Sequence, residues 1–260
     1  MSFDDARIVH GQTWAVDPSW HQGPGAFGGL VAAVLLDEAQ RHVDPGLVPR
    51  AIDVRLMEPA SGTLRLSATT MRAGRAVVHV TSTLSRGDRP VAAATTMFAV
   101  PRPFVAPAPP ATPPEVPRFS TTRPGSLGAE GAPAFTRHID FRPCWGRGPF
   151  VASAPEQRFG GWVRPVEPAV PDSGLALLLL DAWPPGLFAA APRPVPAATV
   201  CLSAHFIAPL GDDPAWIGTV LGRAAADGYA SQDNEVWSAD GRLLARAQQL
   251  FAMLAPFPGA

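Results

Sequence analysis

The sequence predicts an α+β protein that contains two copies of one folding unit. Three observations predict it. A proline-dense segment divides the chain, the two sides end in the same order of strands and turns, and one strongly apolar helix precedes each set of strands. Agreement in the order of several elements indicates an internal duplication, although two unrelated antiparallel meanders can also look alike.

The boundary between the two copies lies in the segment 101–117, which reads PRPFVAPAPPATPPEVP. Proline has a fixed φ and no backbone N–H, so this density of proline excludes a helix or a central strand. The composition is typical of a semi-rigid, extended linker. We therefore expect a first unit at residues 1–100, a proline-rich linker at 101–130 and a second unit at 131–260.

The strand sets of the two units share one order: a strand, a glycine turn, a long strand, a second turn and a final strand. The second turns, RGD at 86–88 and ADG at 239–241, are both hairpin signals. The final strands align without a gap, with Val91–Val100 over Leu244–Met253. This order predicts an antiparallel sheet in each unit.

A single apolar helix precedes each strand set. The first begins at Gly28-Gly29 and continues LVAAVLLDEAQRH, and the second begins at Ser173-Gly174 and continues LALLLLDAW. Because both helices are apolar almost all round, both must be buried. A buried helix wrapped by one antiparallel sheet is the hotdog arrangement. The predicted fold is therefore a double hotdog, with two antiparallel sheets that each wrap a central apolar helix.

Composition narrows the function classes. The net charge is −1, which does not favour a nucleic-acid partner, and all 21 basic residues are arginines, which can hold phosphate groups bidentately. The two cysteines and the six histidines show no metal-ligand spacing, so we expect no metal and no cofactor. The longest apolar runs are too short to span a bilayer, and the N-terminus does not resemble a signal peptide. We expect a cytoplasmic protein.

Several stretches resemble the acyl-CoA thioesterase II family. The first unit carries the run Phe27-Gly28-Gly29 before its apolar helix. The second carries an aspartate at the helix end, Asp181, then ATV at 198–200, then DGRLLARAQQ at 240–249. The resemblance implies a hotdog fold, an acyl-CoA substrate and hydrolysis of its thioester. Assembly into homo-oligomers is common in that family.

In that family an Asp, a Thr and a Gln of the C-terminal hotdog hold the attacking water. These map to Asp181, Thr199 and Gln249 in this sequence. Asp181 follows six apolar residues, and burial would raise its pKa and make it a better base near neutral pH. Its alternative is an exposed residue at a helix C-terminus, where an anion is mildly unfavourable.

The other two positions are ambiguous when they are considered singly. Thr199 is also an ordinary strand residue. Gln248 and Gln249 face opposite sides of a strand, and the family alignment alone selects Gln249 as the inward one. Both residues are therefore hypotheses that rest on the resemblance.

The pair Gly28-Gly29 at a helix start predicts an oxyanion site for the substrate, because backbone N–H groups there are unsatisfied. A Gly-Gly pair is also an ordinary turn. Asp37, at the end of the first helix, is a second candidate carboxylate. We expect it to form the weaker site, because Thr96 stands where the second unit has Gln249.

The leading hypothesis is an acyl-CoA thioesterase that uses water activated by Asp181, Thr199 and Gln249. A non-catalytic protein that binds acyl-CoA or an acyl chain on the same fold is the alternative, because a fold does not determine a function. Hydration of an enoyl-CoA is a third. It rests on the Asp-x4-His spacing of Asp37 and His42, whose interior residues do not match the hydratases.

Overall fold

A computed structural model describes residues 1–103, 111–125, 127, 132–150, 156–193 and 195–255 of the chain. The described residues form three α-helices and thirteen β-strands, which confirms the predicted α+β class. The helices are α1 (Phe3–Ala6), α2 (Gly28–Gln40) and α3 (Ser173–Asp181). The strands are β1 (Thr13–Ala15), β2 (His21–Gln22), β3 (Gly25–Ala26), β4 (Val48–Leu56), β5 (Thr63–Ala73), β6 (Val77–Arg86), β7 (Arg89–Ala99), β8 (Ile139–Gly146), β9 (Arg158–Pro165), β10 (Ala197–Phe206), β11 (Trp216–Ala226), β12 (Tyr229–Trp237) and β13 (Leu243–Met253).

Eleven of these strands form one continuous sheet in the order β1-β5-β6-β7-β4-β10-β13-β12-β11-β9-β8, and β2 and β3 form a small hairpin. The predicted arrangement of two separate sheets is therefore corrected. The halves join where β4 and β10 pair antiparallel, with Asp53 opposite Ser203. Without this pairing each half would end in an edge strand with unpaired backbone groups, and joining the two edges satisfies both.

The two halves of the sheet repeat one another about the β4–β10 junction. Outward from β4 the order is β7, β6, β5, and outward from β10 it is β13, β12, β11. The predicted alignment of the final strands is thus confirmed, and Phe98 and Phe251 are both buried. Gly87 and Gly241 have φ of 59° and 84°, a region that favours glycine, as the predicted hairpin turns require.

Helices α2 and α3 lie side by side on one face of the sheet. The run from Leu30 to Leu36 and the run from Leu175 to Leu180 are buried, which confirms the predicted core helices. Each buried leucine stabilises the fold by roughly 1.5–3 kcal/mol relative to exposure. A Cβ added to Gly29 would lie 3.0 Å from both Leu177 O and Leu178 Cα, so glycine lets the helix backbones approach closely.

The predicted linker is described in part, since 104–110, 126 and 128–130 lie outside the described residues. Residues 111–125 of the linker pack against strands β8 and β9 of the second half. The indole N–H of Trp162 donates to Pro117 O at 2.8 Å, and the N–H of Gly125 donates to Phe141 O at 2.7 Å. The division of the chain at 101–130 stays a prediction.

The segment Ser173–Ala190 is apolar and long enough for a membrane span by composition, with a mean hydropathy of 1.3. However, 83% of the segment is buried inside the protein. Packing of α3 against α2 and the sheet accounts for this hydropathy.

Candidate active site

The side chain of Asp181 lies at the C-terminal end of α3 and is enclosed by the protein. The residue is 6% exposed. Burial raises the pKa of its carboxyl to about 7, and this effect outweighs a hydrogen bond from Gln249 and the nearby N–H of Gly29, which both lower that pKa. A carboxylate with this pKa is half ionised at neutral pH and can accept a proton.

Gln249 lies on β13 and faces the helices, whereas its neighbour Gln248 is exposed. The Nε2 group of Gln249 donates a hydrogen bond to Oδ1 of Asp181. The structure thus brings together two of the three residues that the resemblance places at the site. They are 68 positions apart in the chain.

Thr199 reaches the helix-facing side of the sheet only because β10 contains a bulge. Thr199 pairs with Phe251, the next pair is Cys201 with Leu250, and Val200 is the extra residue. Residues directly opposite one another in an antiparallel pair share a face, so Thr199 shares the face of Phe251 and Gln249. No hydrogen bond within the described part of the chain joins Thr199 to Asp181 or Gln249. Its role stays a prediction.

Gly28 and Gly29 form the first turn of α2, beside the Asp181 carboxylate. A Cβ added to Gly28 would lie 2.7 Å from Oδ2 of Asp181. The residue before the helix, Phe27, offers no side-chain cap, so the carboxylate lies where a capping group would lie. The N–H of Gly29 lies near the carboxylate and lowers the pKa of Asp181. Oδ2 has no hydrogen-bond partner among the described residues. The predicted contact of this pair with substrate stays a prediction.

Two further polar residues, Gln232 and Asn234, lie at the site and did not emerge from the sequence analysis. Both lie on β12 and are 1% exposed. The oxygen Oε1 of Gln249 accepts from Nε2 of Gln232 at 3.0 Å and from Nδ2 of Asn234 at 2.8 Å. The only sequence signal is a period of two, which places both amides on the buried face of the strand.

The equivalent place in the first half has different chemistry. Thr96 lies opposite Ile52, as Gln249 lies opposite Leu202, so Thr96 and Gln249 are equivalent. The helix-end carboxylate there, Asp37, pairs with Arg7, with Nη1 and Oδ1 3.2 Å apart. Burial raises the pKa of Asp37 to about 6, although Arg7 lowers it.

Arg7 fills the space that would form a second site. Its Nη1 lies 2.5 Å from where a Cβ on Gly174 would be, at the first turn of α3. Its Nη2 lies 2.6 Å from Asp172 Oδ2 and 3.0 Å from Asp4 Oδ1. A guanidinium therefore occupies the place between the two helix ends that the Asp181 carboxylate occupies in the other half.

The imidazole of His42 faces Glu38, with Nε2 and Oε1 3.7 Å apart, while Asp37 faces Arg7. The Asp-x4-His spacing therefore does not bring its two residues to one site, and the structure does not support the hydratase hypothesis. Within the described ranges, no group of three or more His, Cys, Asp or Glu side chains could hold a metal ion.

Family models match both halves of the chain. The acyl-CoA thioesterase C-terminal domain matches residues 107–253, and the acyl-CoA thioesterase N-terminal domain matches residues 16–99. The chain belongs to the acyl-CoA thioesterase family. The C-terminal match contains Asp181, Thr199 and Gln249, and the N-terminal match contains Gly28 and Gly29. No match is found among curated proteins.

Solved structures share the fold over almost the whole chain. A conserved protein of unknown function with a hotdog fold from Alicyclobacillus acidocaldarius is 27% identical, with a TM-score of 0.88 and 98% of each chain covered. The tesB protein of Mycobacterium avium subspecies paratuberculosis is 18% identical, with a TM-score of 0.78 and coverage of 97% of this chain and 98% of that one. An acyl-CoA thioesterase II from Mycobacterium marinum is 16% identical, with a TM-score of 0.70 and 99% of each chain covered. These likenesses confirm the hotdog fold of this acyl-CoA thioesterase family member.

Proposed function

We propose that this protein hydrolyses acyl-CoA thioesters to a free acid and CoA, with Asp181 as the general base. The observation that supports it most is the state of the Asp181 carboxylate. It is buried, its pKa is raised to about 7, one oxygen is held by Gln249, and the other has no partner among the described residues. A buried acceptor without a partner is costly, and a bound water would satisfy it.

In the proposed reaction, Asp181 removes a proton from a water molecule as the water oxygen attacks the thioester carbonyl carbon. The C–O bond forms, and the tetrahedral intermediate then collapses as the C–S bond breaks. The electron pair leaves with the sulfur of CoA, and the proton held by Asp181 returns to that thiolate. Gln249 and the hydroxyl of Thr199 orient the water.

The first turn of α2 supplies the groups that we assign to the oxyanion. The N–H of Gly28 has no partner among the described residues and lies at a helix N-terminus, where a negative oxygen is favoured. Gly28 also lacks a side chain that would cover this N–H. The same proposal includes a cytoplasmic location, assembly into a homo-oligomer and acyl-CoA as the bound substrate.

The experiment is thiol release from a panel of acyl-CoAs of increasing chain length, measured with the full chain. Asp181→Asn should lower kcat/KM by about 10²–10⁴, the usual contribution of a general base. Gln248→Ala, which changes an exposed residue beside Gln249, is the matched control and should leave the rate unchanged. Full activity in Asp181→Asn would refute the assignment. Thr199→Val tests the third residue, and Thr199→Ser should retain activity.

A second candidate function is binding of acyl-CoA without hydrolysis. It is favoured by the enclosure of Asp181, which is 6% exposed and so offers little access to substrate in this conformation. Calorimetric titration with a non-hydrolysable acyl-CoA analogue, beside the thiol assay, separates the two. Tight binding with no thiol release from any acyl-CoA in the panel would favour this candidate.

A further inference from the structure

Two amide side chains lie buried beside the candidate site. Gln232 and Asn234 are each 1% exposed, and they lie on the helix-facing side of β12 in the middle of the second half of the sheet. Burying an amide costs free energy unless its polar atoms are hydrogen-bonded. Two such residues on one strand therefore call for a reason beyond packing.

Both amides donate to one atom, Oε1 of Gln249, at 3.0 Å and 2.8 Å. An amide has donors on one end and an acceptor on the other, and the two ends differ little in shape. If the Gln249 amide turned over, its NH₂ group would face two other NH₂ groups and its oxygen would face the Asp181 carboxylate. The two donors therefore hold Nε2 toward Asp181.

Backbone groups fix the direction of both amides in turn. Gln232 accepts from the N–H of Gly186 at 2.7 Å, so its own NH₂ must point toward Gln249. Asn234 donates to the carbonyl of Leu180, the residue before Asp181, through the same nitrogen that donates to Gln249. Backbone donors and acceptors cannot reverse. The backbone groups of Gly186 and Leu180 therefore fix which end of each amide donates, and through the two amides they fix the orientation of Gln249.

The first half of the sheet offers an internal comparison. Gln232 pairs with Gln249 across the ladder as Val80 pairs with Thr96, and Asn234 pairs with Ala247 as Ser82 pairs with Ala94. Val80 and Ser82 are buried as well. The fold thus accepts a valine and a serine at these positions, and the amides occur in the half that has the buried carboxylate without a cation.

We propose that Gln232 and Asn234 are positioning residues, which keep the Gln249 amide oriented so that it donates to Asp181 and presents the carboxylate to water. This inference rests on the proposed function for its kinetic consequences. The expected effect on the ionisation of Asp181 does not depend on the proposed function, because it follows from the hydrogen bonds alone.

The variants Gln232→Val and Asn234→Ser test the proposal, because each introduces the residue found at the equivalent place in the first half. Each should lower kcat roughly tenfold, the size expected for one lost hydrogen bond near a charge, with KM nearly unchanged. The midpoint of the pH profile of kcat/KM should move upward, since the hydrogen bond from Gln249 lowers the pKa of Asp181. Ser231→Ala, on the same strand and the opposite face, is the control and should change neither quantity.

A double-mutant cycle separates positioning from a purely structural effect. In the Gln249→Ala background, Asn234→Ser and Gln232→Val should cause no further loss of kcat. Additive losses would overturn the proposal, as would single variants with unchanged kcat and an unchanged pH midpoint.

The outcome for the proposed function remains distinguishable. Absence of thiol release by the unmodified chain refutes the hydrolase and leaves the orientation of Gln249 to be judged from stability. In that case the pH at which the stability difference between the unmodified chain and Asp181→Asn levels off reports the pKa of Asp181 in the folded state. That pH should be higher in Asn234→Ser and Gln232→Val, and no change in it would overturn the inference.

Discussion

Gly28 and Asp181 face one another where the start of α2 meets the end of α3, and a Cβ added to Gly28 would lie 2.7 Å from Oδ2 of Asp181. Real Cβ atoms essentially never approach an oxygen so closely. The Asp181 carboxylate can therefore lie at the start of α2 only because residue 28 has no side chain.

Gly28→Ala should therefore abolish the site, although alanine is the better helix former by about 1 kcal/mol. We expect kcat/KM to fall at least tenfold as the methyl group displaces the carboxylate. The measurement is thiol release beside a thermal melt. Gly46→Ala is the control, because no atom lies within 4 Å of its added Cβ, and it should retain full activity. Equal activity of the two variants would contradict the assignment.

The pH dependence of kcat/KM should report Asp181. Because the general base must be ionised, activity should rise with pH and reach half its maximum near pH 7, the pKa to which burial raises Asp181. Asp37→Asn should show the same midpoint, which would exclude Asp37, the other carboxyl with a raised pKa, as the titrating group. A midpoint near pH 4, or a flat profile from pH 5.5 to 8.5, would contradict the role of Asp181.

The raised pKa of Asp181 also predicts a pH-dependent cost in stability. The folded state holds the proton more tightly than the unfolded state, so stability is highest when Asp181 is protonated and falls as pH rises from about 4 to about 7. Above pH 7 the full cost applies, on the order of 4 kcal/mol. Asp181→Asn removes this titration.

Urea denaturation of the unmodified chain and Asp181→Asn at several pH values checks that prediction. The stability of the variant relative to the unmodified chain should increase between pH 4 and pH 7 and then level off. Asp37 contributes to both proteins and cancels in the difference. A difference that is independent of pH would show that the Asp181 carboxyl ionises as freely in the folded state as in the unfolded state.

Gln249 and Gln248 offer a comparison between adjacent residues. Gln249→Ala should lower kcat by about tenfold or more, because Asp181 then lacks its hydrogen bond and the donors of Gln232 and Asn234 lose their acceptor. Gln248→Ala changes an exposed side chain on the other face and should retain activity. Equal loss in both variants would refute the assignment of Gln249.

Arg7 should matter for stability and not for turnover. Its guanidinium is 11% exposed and forms ion pairs with Asp4, Asp37 and Asp172. Arg7→Met would leave these carboxylates together without a cation and should cost on the order of 3 kcal/mol in urea denaturation. The control is Arg41→Met, which changes an exposed arginine and should cost less than about 1 kcal/mol. Adding Asp37→Asn to Arg7→Met should restore part of the lost stability. A lower rate of thiol release in Arg7→Met would contradict the separation of the Arg7 cluster from the Asp181 site.

Much of the fold could be predicted because it depends on spacing within short stretches. The apolar runs from Leu30 and from Leu175 predict buried helices, and the hairpin turns predict the order of the strands. The pairing of β4 with β10 could not be predicted. From the sequence alone, each of these strands looks like an edge strand of its own sheet. Only the docking of the two halves brings Asp53 opposite Ser203.

The candidate site was predictable in part for a related reason. The position of Asp181 after six apolar residues indicates burial, but strand alternation cannot choose between Gln248 and Gln249. The bulge at Val200, which turns Thr199 toward the helices, has no signal in the local sequence. Gln232 and Asn234 look like polar residues on a half-exposed strand until their partner is known.

The sequence by itself determined the duplication, the two core helices and the carboxylate at the end of each, because these follow from the order and polarity of neighbouring residues. Only the tertiary structure decided that one carboxylate meets a glycine helix start and a glutamine, while the other meets the guanidinium of Arg7. The physical reason is that a side chain's charge state depends on what surrounds it. Those surroundings come from residues such as Gly28 and Gln249, which are far from Asp181 in the chain.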